Sequence, residues 1–89
     1  MTTTIWKFEI PVDDTVTINT AGTAVVRWLH VEASGSATLT LWAEVDLDED
    51  RPAVVHVRGT GHPMQGNEGQ HLGSVLAGPF VWHVFAGAS

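Results

Sequence analysis

Histidine is the residue type that could do chemistry here. Five stand among 89 residues (His30, His56, His62, His71 and His83), beside ten carboxylates and four basic side chains. With Glu44 and Asp46 as outer partners they are the residue types of a hydrolytic zinc or iron centre. Such centres usually show close spacings, His-Glu-x-x-His or His-x-His, and neither occurs. His83 therefore reads as a hydrogen-bonded core histidine and His56 and His71 as strand or edge residues, and neither metal nor another cofactor is expected. Asp46, Asp48 and Asp50 alternate like the start of a calcium loop, but the sharp-turn glycine and closing glutamate of an EF-hand are missing. They read as a solvated acidic turn. Ser34, Ser36, Ser74 and Ser89 lack a Gly-x-Ser-x-Gly context, and no cysteine is present to serve as nucleophile. The motifs support binding, not catalysis.

One segment is suited to hold a ligand. Gly59 to Gln70 is rich in glycine and long enough for a functional loop. Gly59 and Gly61 let backbone amides approach a partner closely. Pro63 holds His62 extended, and Arg58 just upstream can supply a cation to a phosphate or carboxylate. Arg58, Gly59, Gly61 and His62 are thus the candidate ligand-binding residues, for a small anion. The loop lacks the Lys-Ser/Thr ending of a phosphate loop, so a plain surface excursion competes with this reading.

The elements that must position these residues follow a period of two, the mark of strands. Trp6, Phe8 and Ile10 share one face of a first strand, and Val16 and Ile18 point inward from a second, Thr15 to Asn19. Ala21-Gly22 breaks the pattern. Strands three and four run from about Ala24 to Glu32 and from about Ala37 to Asp46, strand five from Ala53 to Arg58, strand six from His71 to Ala77. Strand seven, Phe80 to Phe85, is apolar on both faces apart from His83 and is expected to be central and buried. No stretch holds a period of 3.6. The expected fold is a single all-β domain over residues 1–89, an antiparallel β-sandwich or flattened barrel of about seven strands arranged mostly as a meander.

Register sharpens the third and fourth strands. Aligning Val25, Leu29 and Val31 with Leu39, Leu41 and Val45 requires an odd loop, and Ala33-Ser34-Gly35 with a left-handed Gly35 supplies one. The same register groups Trp28, His30 and Trp42 with Glu44 on the opposite face. Two indoles amid polar residues suit an interface, so Trp28, His30 and Trp42 are the candidate contact residues of a homo-oligomer.

Charge and length exclude other classes. A formal charge of −6 with scattered Lys7, Arg27, Arg51 and Arg58 opposes nucleic-acid or anionic-membrane binding. No apolar run reaches membrane-spanning length, and the N-terminus lacks a secretory signal, which predicts a soluble protein.

Four blocks carry a resemblance: Thr4-Ile5-Trp6-Lys7-Phe8, Leu41-Trp42-Ala43-Glu44-Val45-Asp46, Gly59-Thr60-Gly61-His62-Pro63 and Val81-Trp82-His83-Val84-Phe85. Their order and spacing resemble a family of small uncharacterised proteins, a domain of unknown function, encoded by tailed bacteriophages. The resemblance implies a product of the host cytoplasm. It implies a phage accessory protein that binds a host protein or a small anionic metabolite, or alternatively a virion component such as a head-decoration or tail-associated subunit.

Overall fold

The computed structural model describes residues 2–18, 22–35 and 37–86. Among them are seven strands: β1 (Thr3–Pro11), β2 (Thr15–Ile18), β3 (Ala24–Ala33), β4 (Thr38–Asp46), β5 (Ala53–Gly59), β6 (Gln70–Ala77) and β7 (Phe80–Ala86). No helix long and apolar enough to cross a membrane occurs among the described residues. Asn19 and Ala21, at the expected end of the second strand and the break after it, lie outside them.

The strands form two antiparallel sheets, ordered β1-β4-β3 and β2-β5-β7-β6. Stacked sheets lie about 10 Å apart, and the 17 Å short dimension of the molecule fits two such layers with their side chains. The fold is all-β, as the alternation of apolar residues predicts. It is not mostly a meander. Only β3–β4 and β6–β7 are consecutive neighbours, because the chain crosses between sheets after β1, β2 and β4 and β7 inserts between β5 and β6. Strand β7 is central as expected, between β5 and β6, yet only Val84 in it is fully buried.

The core grows from β4, whose inward residues Leu39, Leu41, Ala43 and Val45 are 0% exposed. Opposite them stand Ile10, Phe8, Trp6 and Thr4 of β1. From the other sheet Val55, Val57 and Val84 close the cluster, with Val16, Ile18, Leu72, Val75 and Trp82 packed around it. At Gly73 the layers come so close that a Cβ there would stand 2.8 Å from Val31 Cγ1.

Strand β3 departs from the simple register. Its ladder to β4 shifts between Val25 and Arg27 and again between Trp28 and His30, leaving Val26 and Leu29 as extra residues. Each bulge moves the following side chains by one position relative to β4. Val25, Trp28, Val31 and Ala33 therefore oppose Val45, Ala43, Leu41 and Leu39 on the inner face, while Leu29 is exposed. Trp28 packs against the core and meets Phe8 edge-on, with ring centroids 6.0 Å apart. The expectation that Trp28 shares the outer face with His30 and Trp42 is thus corrected. An alternating count cannot anticipate two bulges. The hairpin loop is odd, as required, but sits two residues later than Ala33-Ser34-Gly35, since the Ser34–Thr38 hydrogen bond continues the register and leaves residues 35–37 as the loop. Ser34 N–H donates to Thr38 O at 3.0 Å one step beyond the Ala33–Leu39 pair, and Gly35 keeps an ordinary φ.

Gly73→Ala is expected to destabilise the fold by about 1–3 kcal/mol, because a methyl group there overpacks Val31. Gly35→Ala, with open space around its Cα and no positive φ, is expected to stay within about 0.5 kcal/mol of wild type. Urea denaturation of both variants checks this, and equal midpoints would count against the close approach.

Candidate functional site

Direct partners across an antiparallel ladder share a face. The outward side of the four-stranded sheet accordingly collects His56 and Arg58 from β5, His83 and Phe85 from β7, and His71 and Ser74 from β6. Residues 60–69, between β5 and β6, fold back over part of this face. Arg58 and Glu68 are 4% and 3% exposed, and Arg58 Nε donates to Glu68 Oε2 at 3.0 Å. Arg58 Nη1 also donates to Asp14 O at 2.7 Å and to Val57 O at 3.2 Å. The Glu68 carboxylate accepts the backbone N–H groups of Gln65 at 2.7 Å and Gly66 at 2.8 Å. One ion pair thereby ties the loop, β5 and the start of β2 together.

This overturns the reading of Arg58 as a cation awaiting an anion, since its charge is already met by a buried carboxylate. Gly59 does not present its amide either. It ends β5, buried, directly beneath the His62 ring, whose Cε1 would be 2.9 Å from an added Cβ. Gly61 turns the chain at φ +89°, and His62 N–H donates back to Gly59 O at 3.0 Å, the closure of a type II turn. His62 itself is exposed. The Gly-Thr-Gly-His segment is thus a turn that lays an imidazole beside Trp82, with centroids 6.4 Å apart.

That turn walls a cleft of about 360 Å³ bounded by Gly59, Thr60, His62, Pro79, Phe80 and Trp82. Phe80 stacks obliquely on Trp82 at 5.6 Å. The Trp82 indole Nε1 is buried with no hydrogen-bond partner among the described residues. Leu76 and Phe80 flank the β6–β7 turn and are 74% and 56% exposed. A larger cavity of about 480 Å³ lies at the other end of the sandwich, with Arg27 and Arg51 on its rim. Both are exposed and already paired, with Glu44 at 2.9 Å and Glu49 at 3.4 Å.

The histidines are committed locally. His71 Nε2 lies 3.2 Å from Ser74 Oγ, Ser74 Oγ 2.7 Å from His83 Nδ1, and His83 Nε2 2.9 Å from Thr60 Oγ1. Although Ser74 and His83 touch like a nucleophile and base, the far nitrogen of His83 meets a hydroxyl. A serine-hydrolase triad needs a carboxylate there to stabilise the imidazolium. The chain of contacts joins β6, β7 and the start of the loop. His56, buried, is 3.1 Å from Thr15 Oγ1. Among the described residues no three His, Asp or Glu side chains gather as metal ligands. In the acidic turn Asp46 is buried, not solvated, and accepts Asp48 N–H at 2.9 Å, while Asp48 accepts Thr2 N–H at 2.8 Å. On the outer face of the three-stranded sheet Trp42 lies against His30, with centroids 5.5 Å apart, and His30 Nε2 is 3.4 Å from Glu32.

Sequence reading missed Glu68. One signal was available: after Arg51, Arg58 is the sole guanidinium and Glu68 the sole carboxylate in the chain. The hydrogen bond from Gln65 N–H opposes the upward push of burial and, with those from Glu68's own N–H, Gly66 and Arg58, holds the Glu68 carboxyl at about 2 against an ordinary 4.5. A group depressed in the folded state stabilises fully above its unfolded value and loses that contribution as pH falls through its folded one. Wild-type stability is therefore expected to drop between about pH 4.5 and pH 2. In Glu68→Gln the neutral-pH stability is lower and this acid limb flatter. Denaturation midpoints across that range check it, and parallel curves would remove Glu68 from the role.

No curated protein and no solved structure matches the chain significantly. A family model described as a domain of unknown function, DUF7352, matches residues 1–89. The chain belongs to this family of uncharacterised domains.

Proposed function

We propose that this domain is a phage accessory protein that binds a host protein without catalysis, using the end of the sandwich formed by the β6–β7 turn and the turn after β5. The observation that carries this reading is exposed Phe80 on the wall of the cleft bounded by His62 and Trp82, with exposed Leu76 on the other face of the same β6–β7 end. Single exposed apolar residues are ordinary. Apolar knobs next to a concave aromatic pocket are the arrangement in which partner-binding hot spots concentrate. A small anionic metabolite finds less support, because Arg58 is held by Glu68 and exposed His62 remains as the nearby cationic candidate.

The test is quantitative affinity purification from infected-cell extract with wild type and with Leu76→Ser/Phe80→Ser, both confirmed as folded by circular dichroism. A discrete host protein is expected with wild type and roughly tenfold less of it with the variant, in line with the loss of hot-spot residues. Unchanged capture would refute the surface. Stoichiometric presence of the protein in purified particles would favour the virion reading instead.

A further inference from the structure

The four sheet edges differ in how they are closed to other strands. Edge strands offer unpaired N–H and C=O groups, and proteins blunt them by shortness, bulges or charge. Strand β2 has four residues. Strand β3 carries two bulges and β6 one, between His71 and Gly73. Strand β1 is neither short nor bulged, and its two exposed charges, Lys7 and Glu9, are of opposite sign. It runs nine residues in unbroken register with β4, and among the described residues no other strand pairs with it.

Its backbone polarity can be read from the ladder. Leu47 N–H donates to Thr2 O at 2.8 Å and Val12 N–H to Ala37 O at 2.9 Å, both continuing the β1–β4 register. Even-numbered residues therefore turn their N–H and C=O toward β4, and odd-numbered ones turn theirs to the open edge. Ile5, Lys7 and Glu9 offer both groups, while Pro11, without an N–H, ends the run of donors.

We propose that two copies of this chain join edge to edge through β1, antiparallel, with Lys7 opposite Glu9 of the second copy and Phe8 opposite Phe8 of the second copy. Odd-numbered residues must face odd-numbered ones for the outward groups to bond, which leaves few registers. Moving the strands one step either way sets Lys7 against Lys7 or Glu9 against Glu9, like charges that oppose pairing. Sliding further toward the N-terminus gives a ladder of equal length, Thr3 to Glu9, but leaves Lys7 opposite Ile5 and Glu9 opposite Thr3, and sliding further the other way shortens the ladder. The proposed register instead forms the Lys7–Glu9 pair twice by symmetry, and on the inner face it sets Trp6 opposite Ile10 of the second copy. Trp6 and Phe8 are only half-buried in the single chain, so this contact also covers apolar surface. A lone lysine on an edge strand normally discourages pairing. With Glu9 two residues away, at 4.0 Å on the same face, the strand becomes complementary to itself. The product is a continuous sheet through both copies, and it does not depend on the cleft beside Trp82.

Sedimentation velocity at tens of micromolar tests the proposal with wild type, Lys7→Glu, Glu9→Lys, the double exchange Lys7→Glu/Glu9→Lys, and Trp42→Ala. Both charged side chains are more than half exposed, so circular dichroism and melting are expected to stay unchanged in the charge variants. Each single reversal is expected to weaken assembly by roughly tenfold or more, since two cross-strand attractions become repulsions. The double exchange is expected to restore assembly, and Trp42→Ala to leave it intact. A monomeric wild type overturns the proposal. So does a dimer indifferent to the reversals, a double exchange that fails to rescue, or dissociation on loss of the Trp42 indole from the outer face.

Discussion

Complete burial of the inner face of β4 is the constraint from which most of the structure follows. Leu39, Leu41, Ala43 and Val45 lose all contact with water, so the strands on either side must turn apolar groups to the same face. Strand β1 does so with simple alternation. Strand β3 cannot, because Val25, Trp28 and Val31 are not spaced by two throughout. Two bulges absorb the mismatch and bring Trp28 into the core at the cost of exposing Leu29. The same bulges disrupt the outer edge of β3, while regular β1 keeps an open one. Core packing and edge reactivity are thus two consequences of one pattern.

The second sheet is organised by a polar interaction. A buried arginine is tolerable when its charge is paired and its donors find acceptors, and Arg58 meets Glu68 through Nε and Asp14 O and Val57 O through Nη1. Glu68 in turn gathers N–H groups from its own loop, so a glycine-rich segment that would otherwise be loosely held is tied to β5. The ion pair makes that loop part of the scaffold. Its opening turn then becomes the wall of a cleft, with the His62 ring laid over Gly59 against Trp82.

Two surfaces of different chemistry result. The end bearing Leu76, Phe80 and the Trp82 cleft is apolar, suited to an apolar side chain of another protein. The β1 edge is a run of backbone donors and acceptors with alternating charge, suited to its own copy. They belong to different sheets, so occupation of one leaves the other available.

By itself the sequence determined the strand content and the side that each regular strand buries. Period-two alternation is a local property, and it sufficed for β1, β2, β4 and the central place of β7. The odd parity of the β3–β4 loop was legible for the same reason. What lies between distant segments was not. The Arg58–Glu68 pair, the place of Trp28 and the order of strands were decided by tertiary structure. Each depends on which groups the second sheet and the returning loop bring into a dry space, where an unpaired charge or an exposed indole costs free energy. That cost is felt only once the layers close, and it turned a candidate ligand-binding arginine into a structural one.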